Sequence, residues 1–343
     1  MKAYRLTAAQ HAEIVDVEVP EPGAGEVLLK VTGAGVCHSD LHILHIPEWP
    51  MIPMTLGHEP AGQIAKLGPG VTGWDVGDRV LVYLCWGCGQ CYSCASGYEN
   101  YCRMYKRNVV PGPGLGFDGS MAEYVIAKAR FLVPMGDLDP VDSAPLTDAA
   151  LTPYHAINVA RSKLVPSAHA VVIGIGGLGH MAVQILTATT GARVIAVDVA
   201  ESKLEHAKSL GAELAITSGP AAAEEILDAT DGRGAEVVFD FVGAEPTLRL
   251  AADTIAPFGQ IVVVGLADAT LPFVANGPPG GLPWGAGVVK PYGGTRADLH
   301  DVIALAQRGV IRVTAERHPL ANAAEVLKKL EDGKVAGRAV LVP

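Results

Sequence analysis

Four cysteines with the spacing Cys88-x2-Cys91-x2-Cys94-x7-Cys102 crowd one short segment. Thiolates so placed can surround one Zn²⁺ tetrahedrally, and a site closed by four protein ligands is structural. A fifth cysteine, Cys85, extends the run by one more Cys-x2-Cys step. On spacing alone, Cys85 to Cys94 also supply four thiolates without Cys102. The sixth, Cys37, stands apart in Cys37-His38-Ser39-Asp40-Leu41-His42, and Gly57-His58-Glu59 follows. Cys37 and His58 are one soft and one borderline ligand, a pair suited to zinc. Two ligands do not complete a site. A catalytic zinc needs a third from elsewhere and one position left open for substrate. Composition alone does not choose the third, and His45 and His155 are among the candidates.

A second constellation is Gly174-Ile175-Gly176-Gly177-Leu178-Gly179, which reads G-x-G-x-x-G. Alone the motif says little, because glycines in a turn are often only turn glycines. Its context says more: an apolar run precedes it, an apolar-periodic stretch follows, and Asp198 ends the next apolar run. Such glycines let the backbone approach a pyrophosphate, and a helix N-terminus adds donors and positive potential. Asp198 can accept from a ribose 2′-hydroxyl. A 2′-phosphate there would meet a carboxylate, and Val199-Ala200-Glu201 offers no arginine, so NAD is expected over NADP.

These groups need elements to hold them. In the first third, Val27–Val31 and Arg79–Tyr83 read as strands among Gly-rich turns. Many short strands of this kind suggest an antiparallel, partly open barrel. The pattern changes near residue 150. Ala170–Gly174, Arg193–Asp198, Leu214–Thr217, Val237–Asp240, Ile261–Gly265 and Gly287–Lys290 read as buried strands, with helices such as Gly179–Thr189 and Lys203–Leu210 among them. Strand–helix alternation with buried strands implies a doubly wound parallel sheet. Residues 276–283, rich in Pro and Gly, read as a loop; the tail adds a helix, Ala321–Leu330, and a strand near Arg338–Leu341.

Composition narrows the classes. A chain of 343 residues suits about two domains at roughly 100–200 residues each. With 49% hydrophobic and 18% charged residues it is globular rather than disordered. A net charge of −10 without a basic cluster argues against a nucleic-acid partner. Apolar runs stay below the ~18–20 residues of a membrane span, and Met1–Gln10 has no signal-like apolar core. A cytoplasmic protein is therefore expected, with its dense cysteines serving metal rather than disulfides.

Taken together, Gly35-Val36-Cys37-His38-Ser39-Asp40, Gly57-His58-Glu59, the four-cysteine segment and the glycine motif resemble the zinc-containing medium-chain alcohol dehydrogenases over the whole chain, and among them the bacterial secondary-alcohol enzymes. The resemblance implies an α/β fold: a GroES-like, mostly antiparallel β catalytic domain over 1–149 and 292–343, with a zinc lobe at about 85–102, and a Rossmann NAD-binding domain over 150–291. It implies two zincs per chain. Cys37 and His58 would hold the catalytic one, and Cys88, Cys91, Cys94 and Cys102 the structural one, leaving Cys85 as the spare. The family often places a third catalytic ligand, cysteine, where this chain has Asp148. Aspartate also occurs there in relatives and keeps the formal charge of the ligand set. The competing reading of Asp148 is a helix cap.

Further roles follow from the same resemblance. Ser39 would hydrogen-bond the alcohol and start a proton relay ending at His42. Asp40 would orient His58, and Glu59 would lie behind the zinc. His38 and Arg338 would sit by the cofactor pyrophosphate, and Lys203 by the adenosine ribose. Trp86, Trp284 and Tyr292 are candidates for an apolar pocket, which points to a hydrophobic or aryl alcohol or ketone. The implied partner is that small molecule, and the implied assembly a homotetramer, with a dimer next. Rival readings are a zinc-free quinone or enoyl reductase, a polyol dehydrogenase, and a non-catalytic nucleotide-binding or lens-like protein. The metal motifs argue against the first, and the last would need a broken zinc set.

Overall fold

The computed structural model describes residues 1–272 and 281–343. The chain forms two compact units, Met1–Leu151 with Gly293–Pro343, and Thr152–Tyr292.

The first unit is built on a seven-stranded sheet. Its central strand, Glu26–Val36, is long enough to pair antiparallel with Glu59–Leu67 along one edge, and with Tyr124–Lys128 and then Arg338–Val342 along the other. Arg79–Val82 and Leu132–Pro134 extend the sheet on one side, and Ala315–Pro319 extends it on the other, parallel to Arg338–Val342. Val27, Leu29, Val31, Ile64, Val80 and Leu81 are buried along these strands, and their apolar side chains form the unit's core. A smaller three-stranded sheet joins His11–Asp16, Lys2–Ala8 and Met54–Thr55.

The second unit is a six-stranded, all-parallel sheet in the spatial order Leu214–Thr217, Arg193–Asp198, His169–Ile173, Ala235–Asp240, Ile255–Val263, Gly287–Val289. With His169–Ile173 as the first strand, the order is 3-2-1-4-5-6, the arrangement of dinucleotide-binding sheets. Val171, Ile173, Ile195, Val197, Val238 and Ile261 are buried together, so these strands read as apolar runs rather than alternating ones. Helices Gly179–Thr189 and Ala323–Glu331 match expected stretches, whereas Arg296–Gln307, in the first unit, is a helix the sequence pattern did not announce. The loop expected at 276–283 lies largely outside the described residues. Among the described residues, no helix is long and apolar enough to cross a membrane.

Candidate metal and cofactor sites

Cys37 directly follows the central strand and stands at the N-cap of helix His38–His45. Asp40, three residues on, closes a capping box: its Oδ2 accepts from the Cys37 amide at 2.9 Å. The other oxygen, Oδ1, accepts from the Gly57 amide at 3.2 Å and faces His58 Nδ1 at 3.3 Å. One buried carboxylate thus fixes the backbone of Cys37 and the ring of His58, although 18 residues separate it from the histidine. With Nδ1 donating to Asp40, the Nε2 lone pair is free to face a metal.

Asp148 follows the 3₁₀ turn Ala144–Thr147. Its Oδ2 lies 3.4 Å from Cys37 Sγ and 3.5 Å from His58 Nε2. The edge of a zinc tetrahedron with bonds of ~2.0–2.3 Å is roughly 3.3–3.8 Å, so the three atoms have the separation of ligands sharing one ion. All three residues are buried. Burial opposes a charged imidazole, but the carboxylates of Asp40 and Asp148 outweigh it and hold the His58 pKa well above its ordinary value. A metal cation on Nε2 would take the place of that proton. Ser39 Oγ stands 3.7 Å from Cys37 Sγ and is half-buried, whereas His38 and His42 on the same helix are exposed.

Glu59 and Arg338 stand behind this cluster. Their strands flank the central strand, where Gly35 pairs with Glu59. A Cβ on Gly35 would fall 1.7 Å from Glu59 Oε2, so the missing side chain is the passage through which Glu59 reaches Arg338. Arg338 Nε donates to Glu59 Oε2 at 3.0 Å, and its Nη2 donates to Glu59 Oε1 and, at 2.9 Å, to Asp148 Oδ2. Burial pushes the Glu59 carboxyl up, to about 7, against the pull of Arg338. Arg338, expected at a pyrophosphate from the resemblance, is 2% exposed and directs Nε and Nη2 to two carboxylates of the metal cluster. Four acidic groups, Cys37, Asp40, Glu59 and Asp148, thus crowd around this one guanidinium. Buried charge of that kind calls for a cation, and the donor set fits zinc.

The other four thiols lie half-exposed to buried around helix Tyr92–Ala95. Cys94 Sγ is 3.9 Å from Cys88 Sγ and 3.5 Å from Cys91 Sγ, and Cys91 Sγ is 3.9 Å from Cys102 Sγ. A tetrahedron with Zn–S bonds of ~2.3 Å has edges of about 3.8 Å. Backbone amides point at the sulfurs: Gln90 and Cys91 donate to Cys88, Arg103 to Cys91, and Cys88 to Cys102. The Cys94 amide and then that of Arg103 pull the Cys91 thiol down to about 6, while burial pushes Cys94 up to about 12. Cys85 is fully buried apart from this group, close against Gly293. Neither His45, which is exposed, nor His155, buried in the second unit's helix Leu151–Val159, belongs to either cluster.

In the second unit, the glycine motif turns from strand His169–Ile173 into helix Gly179–Thr189. Gly174 has φ +89°, a conformation that excludes a side chain at little less than full strain. The amides of Gly177 and Leu178 have no acceptor among the described residues, and a Cβ on Gly176 would meet open space. Asp198 ends its strand with Oδ2 accepting from the Ile175 amide at 2.7 Å and Oδ1 from the Ala200 amide at 3.0 Å. The carboxylate is thereby fastened to the glycine turn. Lys203, half-buried, lies one turn into helix Glu201–Ser209. An open cradle of amides beside a fixed carboxylate fits a dinucleotide.

The three aromatic pocket candidates differ in their surroundings. Trp86 is 3% exposed, donates Nε1–H to the Tyr83 carbonyl at 2.9 Å and stacks on Phe131 at 5.7 Å. It is core packing, since a large indole with a satisfied N–H is stable there. Trp284 is 76% exposed, and Tyr292 is half-buried. Two groups escaped the sequence reading. Nothing in local spacing links Arg338 to Glu59, although a glycine inside a strand signals close approach. Asp240, fully buried at the end of its strand, accepts from the Val242 and Gly243 amides and from Thr247 Oγ1.

Comparison with known proteins then decides the family. Residues 23–137 match the model of the alcohol dehydrogenase GroES-like domain, and residues 177–308 that of the zinc-binding dehydrogenases. A NAD-dependent alcohol dehydrogenase of Sulfurisphaera tokodaii is 37% identical over 100% of both chains. The chain belongs to the zinc-binding alcohol dehydrogenase family. An alcohol dehydrogenase of Geobacillus stearothermophilus is 36% identical over 96% of this chain and 95% of its own. The crystal structure of the family member from Aeropyrum pernix superposes with a TM-score of 0.92 at 35% identity, covering 100% of both chains. The fold is thus that of the family, a GroES-like unit and a Rossmann unit.

Proposed function

We propose that this chain is a NAD-dependent, zinc-dependent alcohol dehydrogenase. The observation that carries the reading is the buried trio Cys37, His58 and Asp148, spaced as ligands of one ion, in a chain that also holds an amide cradle and Asp198. When bound, zinc supplies Lewis acidity to a hydroxyl or carbonyl oxygen, and NAD is the hydride acceptor or donor. Cys37, His58 and Asp148 would hold the first, while Cys88, Cys91, Cys94 and Cys102 would hold a second, structural zinc. Ser39 Oγ, beside Cys37 and half-buried, takes the substrate's hydroxyl proton, and His42 on the exposed side of the helix passes it to solvent. Asp40 keeps the His58 ring oriented through this. Gly174, Gly176, Gly177, Leu178 and Gly179 bind the pyrophosphate, and Asp198 with Lys203 the adenosine ribose. His38 lies exposed at the start of its helix, suited to an anionic cofactor group.

The substrate we infer is a small or medium, hydrophobic or aryl alcohol or its carbonyl product. The expected assembly is a homotetramer in the cytoplasm, where the unpaired cysteines stay reduced. The test is steady-state kinetics with NAD and NADP over a panel of primary, secondary, aryl and polyhydric alcohols, alongside zinc analysis. We expect two zincs per chain and a kcat/KM at least about tenfold higher with NAD, the scale of one unfavourable charge contact. Turnover of none of the panel, or a preference for NADP, would overturn the reading.

A further inference from the structure

We infer that His180 is a positioning residue for the cofactor pyrophosphate, acting through the Gly176–Gly177 peptide. The inference rests on the NAD reading and assigns work to a residue outside the glycine motif. His180 directly follows Gly179 and is 0% exposed. A buried imidazole needs partners for its polar atoms. Its Nδ1 lies 3.0 Å from the Gly176 carbonyl oxygen, and its own backbone amide donates to the same oxygen at 3.0 Å. A carbonyl only accepts, so Nδ1 carries the proton. One residue thus directs two donors at one carbonyl.

That geometry has a consequence at the other end of the peptide. In a trans peptide the C=O and the following N–H point in opposite directions. Drawing the Gly176 carbonyl back toward the helix aims the Gly177 N–H outward, off the helix N-terminus. That N–H has no acceptor among the described residues, and no side chain at Gly176 or Gly177 covers it. Glycine is free to rotate this peptide plane, so an anchor is needed if the donor is to be ready before the ligand arrives. The anchor is itself braced. The His180 ring stacks on His206 at 6.0 Å, with 28° between the planes, and Gln184 donates to the His180 carbonyl at 3.2 Å. His206 belongs to helix Glu201–Ser209, which begins just after Asp198. The ring therefore ties the pyrophosphate turn to the helix that follows the ribose carboxylate.

Three variants of the zinc-loaded enzyme test this, with NADH binding measured by calorimetry beside kinetics. His180→Phe keeps an aromatic ring against His206 but removes the donor. His180→Leu removes the donor at smaller volume. His180→Asn puts an amide nitrogen near the place of Nδ1. We expect the first two to raise the Kd for NADH and the KM for NAD about tenfold, the scale of one lost hydrogen bond, with kcat at saturating NAD held within about twofold. His180→Asn should stay within about threefold of the parent. Wild-type affinity in His180→Phe or His180→Leu would overturn the inference. So would equal weakening in His180→Asn and His180→Leu, which marks simple packing, or failure of all three variants to fold. If the unaltered enzyme binds no NADH at all, the NAD reading itself fails, a result distinct from these.

Discussion

The two ligand clusters of the first unit differ in how they are assembled. Cys88, Cys91, Cys94 and Cys102 come from one segment and lie half-exposed to buried around a four-residue helix. Cys37, His58 and Asp148 are all buried and come from three separate places, the first and the last 111 positions apart. The local cluster closes a tetrahedron with protein atoms alone. The dispersed one offers three ligand atoms, one fewer than a closed tetrahedron needs. Closure by four ligands resists exchange and serves stability, whereas three ligands on a rigid sheet keep a metal accessible. The supporting groups differ in the same sense. Backbone amides suffice for the local thiolates, while Asp40 from the adjoining helix and Glu59 and Arg338 from neighbouring strands are recruited for the other.

The sharpest break between the clusters should come from Asp148→Ala. Zinc should fall from two per chain toward one, and activity should drop to background, while the four-cysteine zinc survives. Metal analysis of the purified variant decides, and two retained zincs with near-normal turnover would return Asp148 to a capping role. The opposite experiment is Cys102→Ser beside Cys85→Ser. Losing a thiolate from the closed site should destabilise by about 3 kcal/mol or more, or roughly 4 °C or more in Tm for a chain of this size. Cys85→Ser should keep both zincs, because Cys85 belongs to neither cluster. Loss of the lobe zinc in Cys85→Ser alone would exchange the two roles. The smallest effect is expected of Asp40→Asn. Its carboxylate orients His58 without touching the metal, so affinity for the buried zinc should weaken by about 10–100-fold. Competition with a chelator measures this, and equal weakening at both sites would show a general loss of structure instead.

Much of the fold was legible because parallel buried strands leave a continuous apolar signature. Arg193–Asp198 and Leu214–Thr217 coincide with the expected strands, and helix Gly179–Thr189 with the expected helix. The antiparallel unit was harder. Strand Glu26–Val36 runs five residues beyond the expected Val27–Val31 segment, because it pairs with different partners along its length. Aromatic side chains are the least informative part of the site in the sequence. Nothing in a sequence distinguishes a tryptophan stacked in a core, as Trp86 is, from one exposed at 76%, as Trp284 is.

The sequence by itself determined what is short-range. Cysteine spacing marks a thiolate lobe without choosing its fourth member, glycine spacing after an apolar run marks a candidate anion-binding turn, and periodicity marks the elements around them. These follow from bond lengths, backbone sterics and burial within a few residues. Only the tertiary structure decided which distant groups share a charge. It set Asp148 against Cys37 and His58, passed Glu59 through the gap at Gly35 to Arg338, and turned Arg338 toward the metal cluster. Strand order and register bring these residues together, and both are set by packing of the whole sheet rather than by any local run of residues.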